Sequence, residues 1–275
     1  MVTTLLLVSA LLHASWNAFV KSDADKALSL AWIAGIGGVL SAMMLPFVAG
    51  PRPEVWPYLI ATTLLQNGYF VLVILSYRHA DLSQAYPIAR GTAALLAATG
   101  SAALGLDSLT RWEWTGIFIS SLGIASLAFT ARGSAKTIVR GIGYPLASGA
   151  FTAAYSLVDG TGARLSGDPI AYVLWMNVCA APFLPAFLWI RSRRGRISRS
   201  AAGFGARLGA SLVATASYGL AVWAFAQGSI GRGAVLRETS VLIAAVLGSV
   251  VLKEPFGLRR TLSAALILAG FLMRE

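Results

Sequence analysis

Charged side chains inside apolar stretches are the residues of this sequence best suited to chemistry. Arg90, Arg237 and Glu238 each fall within a run of otherwise apolar residues. A charge in such a run is costly in a bilayer and usually faces a cavity or an oppositely charged partner. For Arg90 and Glu238, two interpretations remain open: a buried ion pair that locks parts of the chain together, or groups that contact a polar ligand. Arg237 either snorkels to the membrane interface or offers a positive charge to an anionic moiety.

Polar and aromatic residues in the other apolar stretches could complete a ligand site. His13 and Asn17 are four residues apart, so they share one face of a helix, with Trp16 beside them. That face either binds a ligand or forms hydrogen bonds to a neighbouring helix. The further candidates for ligand binding are Gln66, Asn67, Tyr69, Tyr86, Tyr155, Tyr218 and Trp223.

Residue patterns that would indicate an enzyme are missing from the sequence. The two histidines, His13 and His79, have no acid pair near them, and one cysteine, Cys179, excludes an intramolecular disulfide. We find no metal cluster, nucleophile–base pair, nucleotide loop or selectivity filter. The sequence therefore predicts no catalytic residues, no metal and no cofactor. The alternative, an integral membrane enzyme or scaffold acting on a lipid-linked substrate, would need a catalytic constellation at one membrane face.

The composition requires that these residues be positioned by membrane-spanning helices. The 275 residues are 57% hydrophobic and 12% charged, whereas soluble domains are about 25% charged. A span needs roughly 20 apolar residues. The first charge is Lys21, so the N-terminal run is interpreted as a retained span and not as a signal peptide. We predict an all-α integral membrane protein with spans at 2–20, 27–49, 55–77, 82–105, 112–130, 139–158, 169–190, 206–228, 233–252 and 257–273. With these boundaries, Asp159 follows the sixth span and Glu238 is the clearly intramembrane acid.

The net charge of +11 resides mainly in loops between the apolar runs, which favours membrane orientation over nucleic-acid binding. Loops after odd-numbered spans hold fifteen basic residues: Lys21, Lys26, Arg78, Arg132, Lys136, Arg140, Arg191, Arg193, Arg194, Arg196, Arg199, Arg207, Lys253, Arg259 and Arg260. The other side holds five: Arg52, Arg111, Arg164, Arg232 and Arg274. The excess predicts that the odd loops are cytoplasmic and that both termini are outside.

An internal repeat relates the two halves of the chain. A shift of 139 residues aligns Trp16 with Tyr155, and a shift of 148 aligns Arg90 with Glu238. We therefore predict two repeats of five helices, residues 1–132 and 137–275. Since five is odd, the second repeat enters the membrane from the opposite side, as in many secondary transporters.

Three segments carry a resemblance to a known family. HASWNAFVK (13–21), AYPIARG (85–91) and LRETSVLIAAVLGSVVLKEPFGLRR (236–260) resemble the first, fourth and ninth spans of the drug/metabolite transporter superfamily, EamA-type. One departure is that 105–107 reads Gly-Leu-Asp where the family has a glutamate turn. The resemblance implies a cavity lined by the first, third, fourth, sixth, eighth and ninth spans, with the fifth and tenth peripheral.

Together these features predict a secondary transporter in the cytoplasmic (inner) membrane that works by alternating access. The expected substrate is a small polar metabolite, amino-acid-like and anionic or zwitterionic, because positive groups predominate within the spans. The expected partners are this small molecule and the lipid bilayer, without nucleic acid, and the protein is expected to be a monomer or homodimer. If transport is coupled to protons, the sequence favours Glu238 as the carrier.

Overall fold

The computed structural model describes residues 2–128, 135–193 and 203–237, together with 240, 241, 243, 262, 265, 266, 269 and 270. The helices are α1 (Val2–Ser22), α2 (Lys26–Met44), α3 (Trp56–His79), α4 (Leu82–Ala103), α5 (Arg111–Ala128), α6 (Ala135–Ser166), α7 (Pro169–Ala180), α8 (Phe183–Ser192), α9 (Phe204–Gln227) and α10 (Ile230–Arg237). No strand occurs among these described residues.

Among the described residues, five helical segments are long and apolar enough to cross a membrane. They are Val2–Ser22, Lys26–Phe47, Pro53–His79, Pro169–Ser192 and Phe204–Gln227. The fourth segment combines α7 and α8, which a short break at 181–182 separates. The prediction of an all-helical, multi-pass membrane protein is thus confirmed for the described part of the chain.

The helix ends are fixed by specific polar contacts. The Asp25 carboxylate accepts a hydrogen bond from the backbone N–H of Leu28, which caps the start of α2. Asp168 caps α7 in the same way, through the backbone N–H groups of Ile170 and Ala171. These two caps explain why α2 and α7 each begin directly after an aspartate.

The connections between helices lie on two opposite faces of the bundle. We call the face at which α1 begins the N-terminal face. The N-terminal face carries the connections at 45–55, 104–110, 167–168 and 228–229, and the opposite face carries those at 23–25 and 80–81 and the end of α8. On the N-terminal face, Arg52 donates to the carbonyl oxygen of Ser166 at 2.9 Å. On the opposite face, Lys21 donates to the carbonyl oxygen of Ala80 at 2.9 Å. Successive connections therefore alternate between the two faces, counting α7 and α8 as one span.

Long contacts between the two halves hold the bundle together. α6 packs along α3 and α4, α1 packs along α9 and α10, and α2 packs against α7, α8 and α9. At the α1–α9 contact, the hydroxyls of Ser9 and Ser217 each donate to the other's carbonyl oxygen, at 2.6 and 2.8 Å. Small polar residues of this kind allow close approach of membrane helices.

The sixth helix is longer than the sequence predicts. The predicted span ends at residue 158, before Asp159 and Gly160, whereas α6 continues to Ser166. Gly160 does not interrupt the helix but allows close packing, since a Cβ there would lie 2.6 Å from Cδ1 of Ile230. The extension corrects the predicted location of Asp159, which lies inside α6 and is completely buried.

Candidate substrate cavity

A cavity lies at the middle level of the bundle, where α1, α2, α3, α6, α7 and α9 meet. It contains about 690 Å³ of space between atoms, part of it open to the surface. Its lining residues are His13, Trp16, Ile33, Ala34, Gly37, Gln66, Tyr69, Phe70, Tyr155, Asn177, Ala180, Ala181, Ala214, Thr215 and Tyr218. Small-molecule sites in proteins have this mixture of aromatic walls and few polar groups.

Three tyrosines form one wall of this central cavity. The ring of Tyr155 packs edge-on against Tyr69 at 5.6 Å and against Tyr218 at 5.3 Å between ring centroids. In the same lining, His13 packs edge-on against Trp16 at 5.0 Å between ring centroids. The rings therefore come from α1, α3, α6 and α9, so their arrangement depends on contacts between both halves of the chain.

Beside the central cavity, the lining residue His13 contacts Arg237. Nη2 of Arg237 lies 3.3 Å from Nδ1 of His13, and both residues are buried. A guanidinium can only donate hydrogen bonds, so Nδ1 is the acceptor and the ring proton is on Nε2. Nε2 is buried and has no hydrogen-bond partner in the part of the chain that the structure describes. Arg237 thus orients a donor group of a residue that lines the cavity.

A second, smaller cavity of about 290 Å³ adjoins the first, with Tyr69 lining both. Asn17, Tyr86 and Arg90 line this second cavity. Asn17 accepts a hydrogen bond from the hydroxyl of Tyr77 at 2.7 Å, which connects α1 to α3. The hydroxyl of Tyr86 lies 3.0 Å from that of Ser240.

The structure brings most of the predicted site residues together. Six line the central cavity: His13, Trp16, Gln66, Tyr69, Tyr155 and Tyr218. Asn17, Tyr86 and Arg90 line the adjoining cavity, and Arg237 lies behind His13. Of the spans that the family resemblance implied, α1, α3, α6 and α9 line the central cavity, and α4 lines the adjoining cavity instead. α2 and α7, which the resemblance did not imply, also line the central cavity.

Two predicted site residues have another position. Asn67 donates to the carbonyl oxygens of Thr63 and Ala180, at 2.8 and 3.3 Å, and so connects α3 to α7. Trp223 packs against the buried cluster that includes Leu6 and Phe225. Glu238 lies outside the described residues, so its pairing with Arg90 stays a prediction.

Asp159 is a buried acid that the sequence analysis placed at a helix end. Its Oδ1 accepts a hydrogen bond from the hydroxyl of Tyr172 at 2.8 Å. Its Oδ2 accepts one from the hydroxyl of Tyr218, and the amide of Gln66 lies 3.3 Å from the same oxygen. The four-residue spacing from Tyr155, a predicted site residue, was the available sequence signal.

The described residues contain no group of three or more histidines, cysteines or acids arranged to hold a metal ion. The polar groups near the central cavity belong instead to His13, Gln66, Tyr69, Asn177 and Tyr218. Amide, hydroxyl and imidazole groups of this kind orient a ligand through hydrogen bonds.

Comparisons with known proteins agree with the membrane fold. Residues 139–273 match the profile of the EamA-like transporter family. A solved structure titled "Crystal structure of protein" superimposes with a TM-score of 0.74, at 18% sequence identity, over 99% of this chain and 95% of that one. At this identity the likeness shows the fold alone. No curated protein sequence matches the chain.

Proposed function

We propose that the chain is an EamA-type drug/metabolite transporter and that it acts as a secondary transporter of a small zwitterionic or anionic metabolite. The match of residues 139–273 to the profile of the EamA-like transporter family supports this proposal. The substrate would be of amino-acid-like size and would occupy the central cavity. The cytoplasmic (inner) membrane is the proposed location. The protein would act there as a monomer or homodimer, with the lipid bilayer and the substrate as its partners.

The observation that carries this proposal is the donor on His13. His13 lines the cavity, and its buried Nε2–H has no partner among the described residues. The contact of Arg237 with Nδ1 fixes the tautomer in which Nε2 carries the proton. A buried donor without a partner costs free energy, which a substrate oxygen would recover. A carboxylate is the most suitable acceptor, since hydrogen bonds to ionised groups are roughly twice as strong as neutral ones.

The tyrosine wall supports a zwitterion over a simple anion. Tyr69, Tyr155 and Tyr218 lie beside one another on the same cavity. An ammonium group within about 6 Å of an aromatic face is attracted to it, by about 2 kcal/mol when desolvated. An amino-acid-like molecule would thus direct its carboxylate towards His13 and its ammonium group towards Tyr69 and Tyr155, because the guanidinium of Arg237 already lies 5.5 Å from the ring of Tyr218.

Alternating access is supported by the symmetry of the helix contacts. If α1 corresponds to α6, α3 to α9 and α4 to α10, the α3–α6 contact corresponds to α9–α1, and the α4–α6 contact to α10–α1. α1 runs from the N-terminal face to the opposite face, whereas α6 ends on the N-terminal face. We therefore propose two inverted repeats, residues 1–132 and 137–275, with ten spans in total, rocking about the cavity.

Uptake into proteoliposomes tests the proposal. Vesicles that contain the purified protein would be given labelled L-alanine, L-glutamate, succinate or choline, with protein-free vesicles as the control. We expect saturable uptake of a zwitterionic or anionic compound and none of choline. Uptake of choline alone would contradict the assigned charge, and failure of an extended metabolite panel would favour the alternative of a non-transporting enzyme or scaffold.

A further inference from the structure

The buried carboxylate of Asp159 lies between two separate cavities, and the proposed binding site does not use it. One is the central cavity, and the other opens at the N-terminal face, between the 45–55 connection and the start of α7. This outer cavity contains about 680 Å³ of space between atoms. Its lining residues are Ala49, Gly50, Pro51, Arg52, Val55, Leu59, Ser166, Gly167, Asp168, Ala171, Tyr172 and Trp175.

One phenol connects Asp159 to each cavity. Tyr172 lines the outer cavity, and its hydroxyl donates to Oδ1 of Asp159 at 2.8 Å. Tyr218 lines the central cavity, and its hydroxyl donates to Oδ2. Asp159 itself is 0% exposed. A continuous row of hydrogen-bonding groups therefore crosses the protein between the two cavities, with the carboxylate at its centre.

The positions of these residues along their helices place the row in the half of the bundle that is nearest the N-terminal face. At about 1.5 Å per helical residue, Tyr172 lies about 5 Å from the start of α7 and Asp159 about 10 Å from the end of α6. Tyr218 lies about 14 Å from the end of α9. The row thus leads from near the membrane surface to the level of the proposed substrate.

From this geometry we infer that Asp159 is the proton-carrying group that couples transport to a proton gradient. The inference rests on the proposed transport function and adds its driving ion. Tyr172 would pass its hydroxyl proton to Oδ1 of Asp159 and take another from water in the outer cavity. Once the hydroxyl of Tyr218 turns from Oδ2 towards the central cavity, it would give its proton to water there and take the proton of Asp159. Only O–H bonds form and break: the carboxylate gains one proton, becomes neutral, and returns to the anion when it releases it.

Charge and burial at Asp159 suit such a group. Burial penalises the anion, whereas the donors Tyr172, Tyr218 and Gln66 stabilise it, so the two effects oppose each other. The titratable side chains around it are Tyr172 on α7, Tyr218 on α9 and Tyr155 on its own helix. Arg237 is a cation of the same region, since its guanidinium lies 5.5 Å from the ring of Tyr218. Among the described residues, no lysine or arginine forms an ion pair with Asp159.

Protonation of Asp159 would also change the central cavity. A neutral acid accepts hydrogen bonds more weakly than a carboxylate. The hydroxyl of Tyr218 would then be released from Oδ2 and become available to a substrate in the cavity that it lines. Substrate affinity would thereby depend on the protonation of Asp159, as coupling requires.

Infrared spectroscopy of the reconstituted protein tests the inference without any substrate. Difference spectra would be recorded between neutral and mildly acidic buffer for the wild type and for Asp159→Asn, which keeps the side-chain shape. We expect the wild type to gain a carbonyl band of a protonated carboxylic acid, and the variant to lose that band. An unchanged band in the variant would overturn the inference. Absence of uptake by the wild type would instead refute the proposed function.

A matched pair of tyrosine variants tests the route. After a rapid pH change outside the vesicles, Tyr172→Phe should delay the appearance of the Asp159 band, because the hydroxyl that faces the outer cavity is gone. Tyr58→Phe is the control, since Tyr58 packs against the same apolar cluster as Tyr172. Equal delays in both variants, or none in either, would show that the proton reaches Asp159 by another route and would overturn the assigned pathway.

Discussion

Nη2 of Arg237 lies 3.3 Å from Nδ1 of His13, so a helix of the second half of the chain sets the tautomer of a residue in the first. The contact requires α10 to pack against α1, as the structure shows. A residue that lines the central cavity therefore owes its hydrogen-bonding character to a residue 224 positions away.

Loss of the His13 donor should weaken substrate binding without unfolding the protein. His13→Phe keeps a ring against Trp16 but removes Nε2–H, together with the Nδ1 acceptor of Arg237. A hydrogen bond to a charged group contributes about 1.5–3 kcal/mol, so we expect the dissociation constant of an accepted anionic or zwitterionic compound to rise about 10- to 150-fold. Thermal-shift titration with the best compound from the uptake panel would measure it.

The other histidine offers a matched control for this variant. His79 lies at the end of α3, where its ring packs beside Tyr144 at 5.3 Å. His79→Phe should leave the dissociation constant unchanged. If both variants weaken binding equally, the effect is a general loss of stability and the assignment of His13 to the substrate is wrong.

Arg90 and Glu238 should behave as an energetically coupled pair. They occupy equivalent positions under the 148-residue shift and carry opposite charges. Removing one partner of a buried pair costs roughly 3–5 kcal/mol, because the other charge is left uncompensated. We expect Arg90→Ala and Glu238→Ala each to lower thermal stability strongly, and the double variant to lose less than the sum. Strictly additive losses would show that the two side chains do not interact.

Close packing of α2 against α7 should make Gly38 intolerant of a side chain. A Cβ at Gly38 would overlap the Cβ of Ala181, whereas one at Gly35 would lie 3.8 Å from Cγ of Pro185, an ordinary contact. Overpacking typically costs about 1–3 kcal/mol. Gly38→Ala should therefore lower the midpoint of thermal unfolding and Gly35→Ala should not. Equal midpoints for the two variants would refute this packing.

Labelling at Ser192 should report the orientation. Arg52, Arg164 and Arg232, on the side with few basic residues, each bond a protein group: the Ser166 carbonyl, the Phe225 carbonyl and Glu113. The loops predicted for the opposite face hold fifteen of the twenty basic loop residues, and these loop charges predict that face to be cytoplasmic. In a Cys179→Ala background, Ser192→Cys should react with a membrane-impermeant maleimide only after the cells are opened. Reaction in intact cells would show that the orientation is the opposite of the predicted one.

Much of the candidate site was predictable because intramembrane polarity is so costly. His13, Gln66 and Arg90 stand out in runs of apolar residues, and the structure places each at one of the two adjoining cavities. Asn67 and Trp223 share those features, yet they stabilise helix contacts instead. A single sequence cannot separate the two outcomes, since both a substrate and a neighbouring helix satisfy the same hydrogen-bonding groups.

The sequence by itself determined that the chain is a helical membrane protein, because hydropathy and span length depend only on local composition. Tertiary structure alone decided which polar groups meet. Asp159 became a buried acid between two cavities because Gly160 packs against Ile230 and lets α6 continue past it. His13 became an oriented donor because Arg237 reaches it from the other half. Both depend on helix packing between residues far apart in the chain, which local composition does not encode.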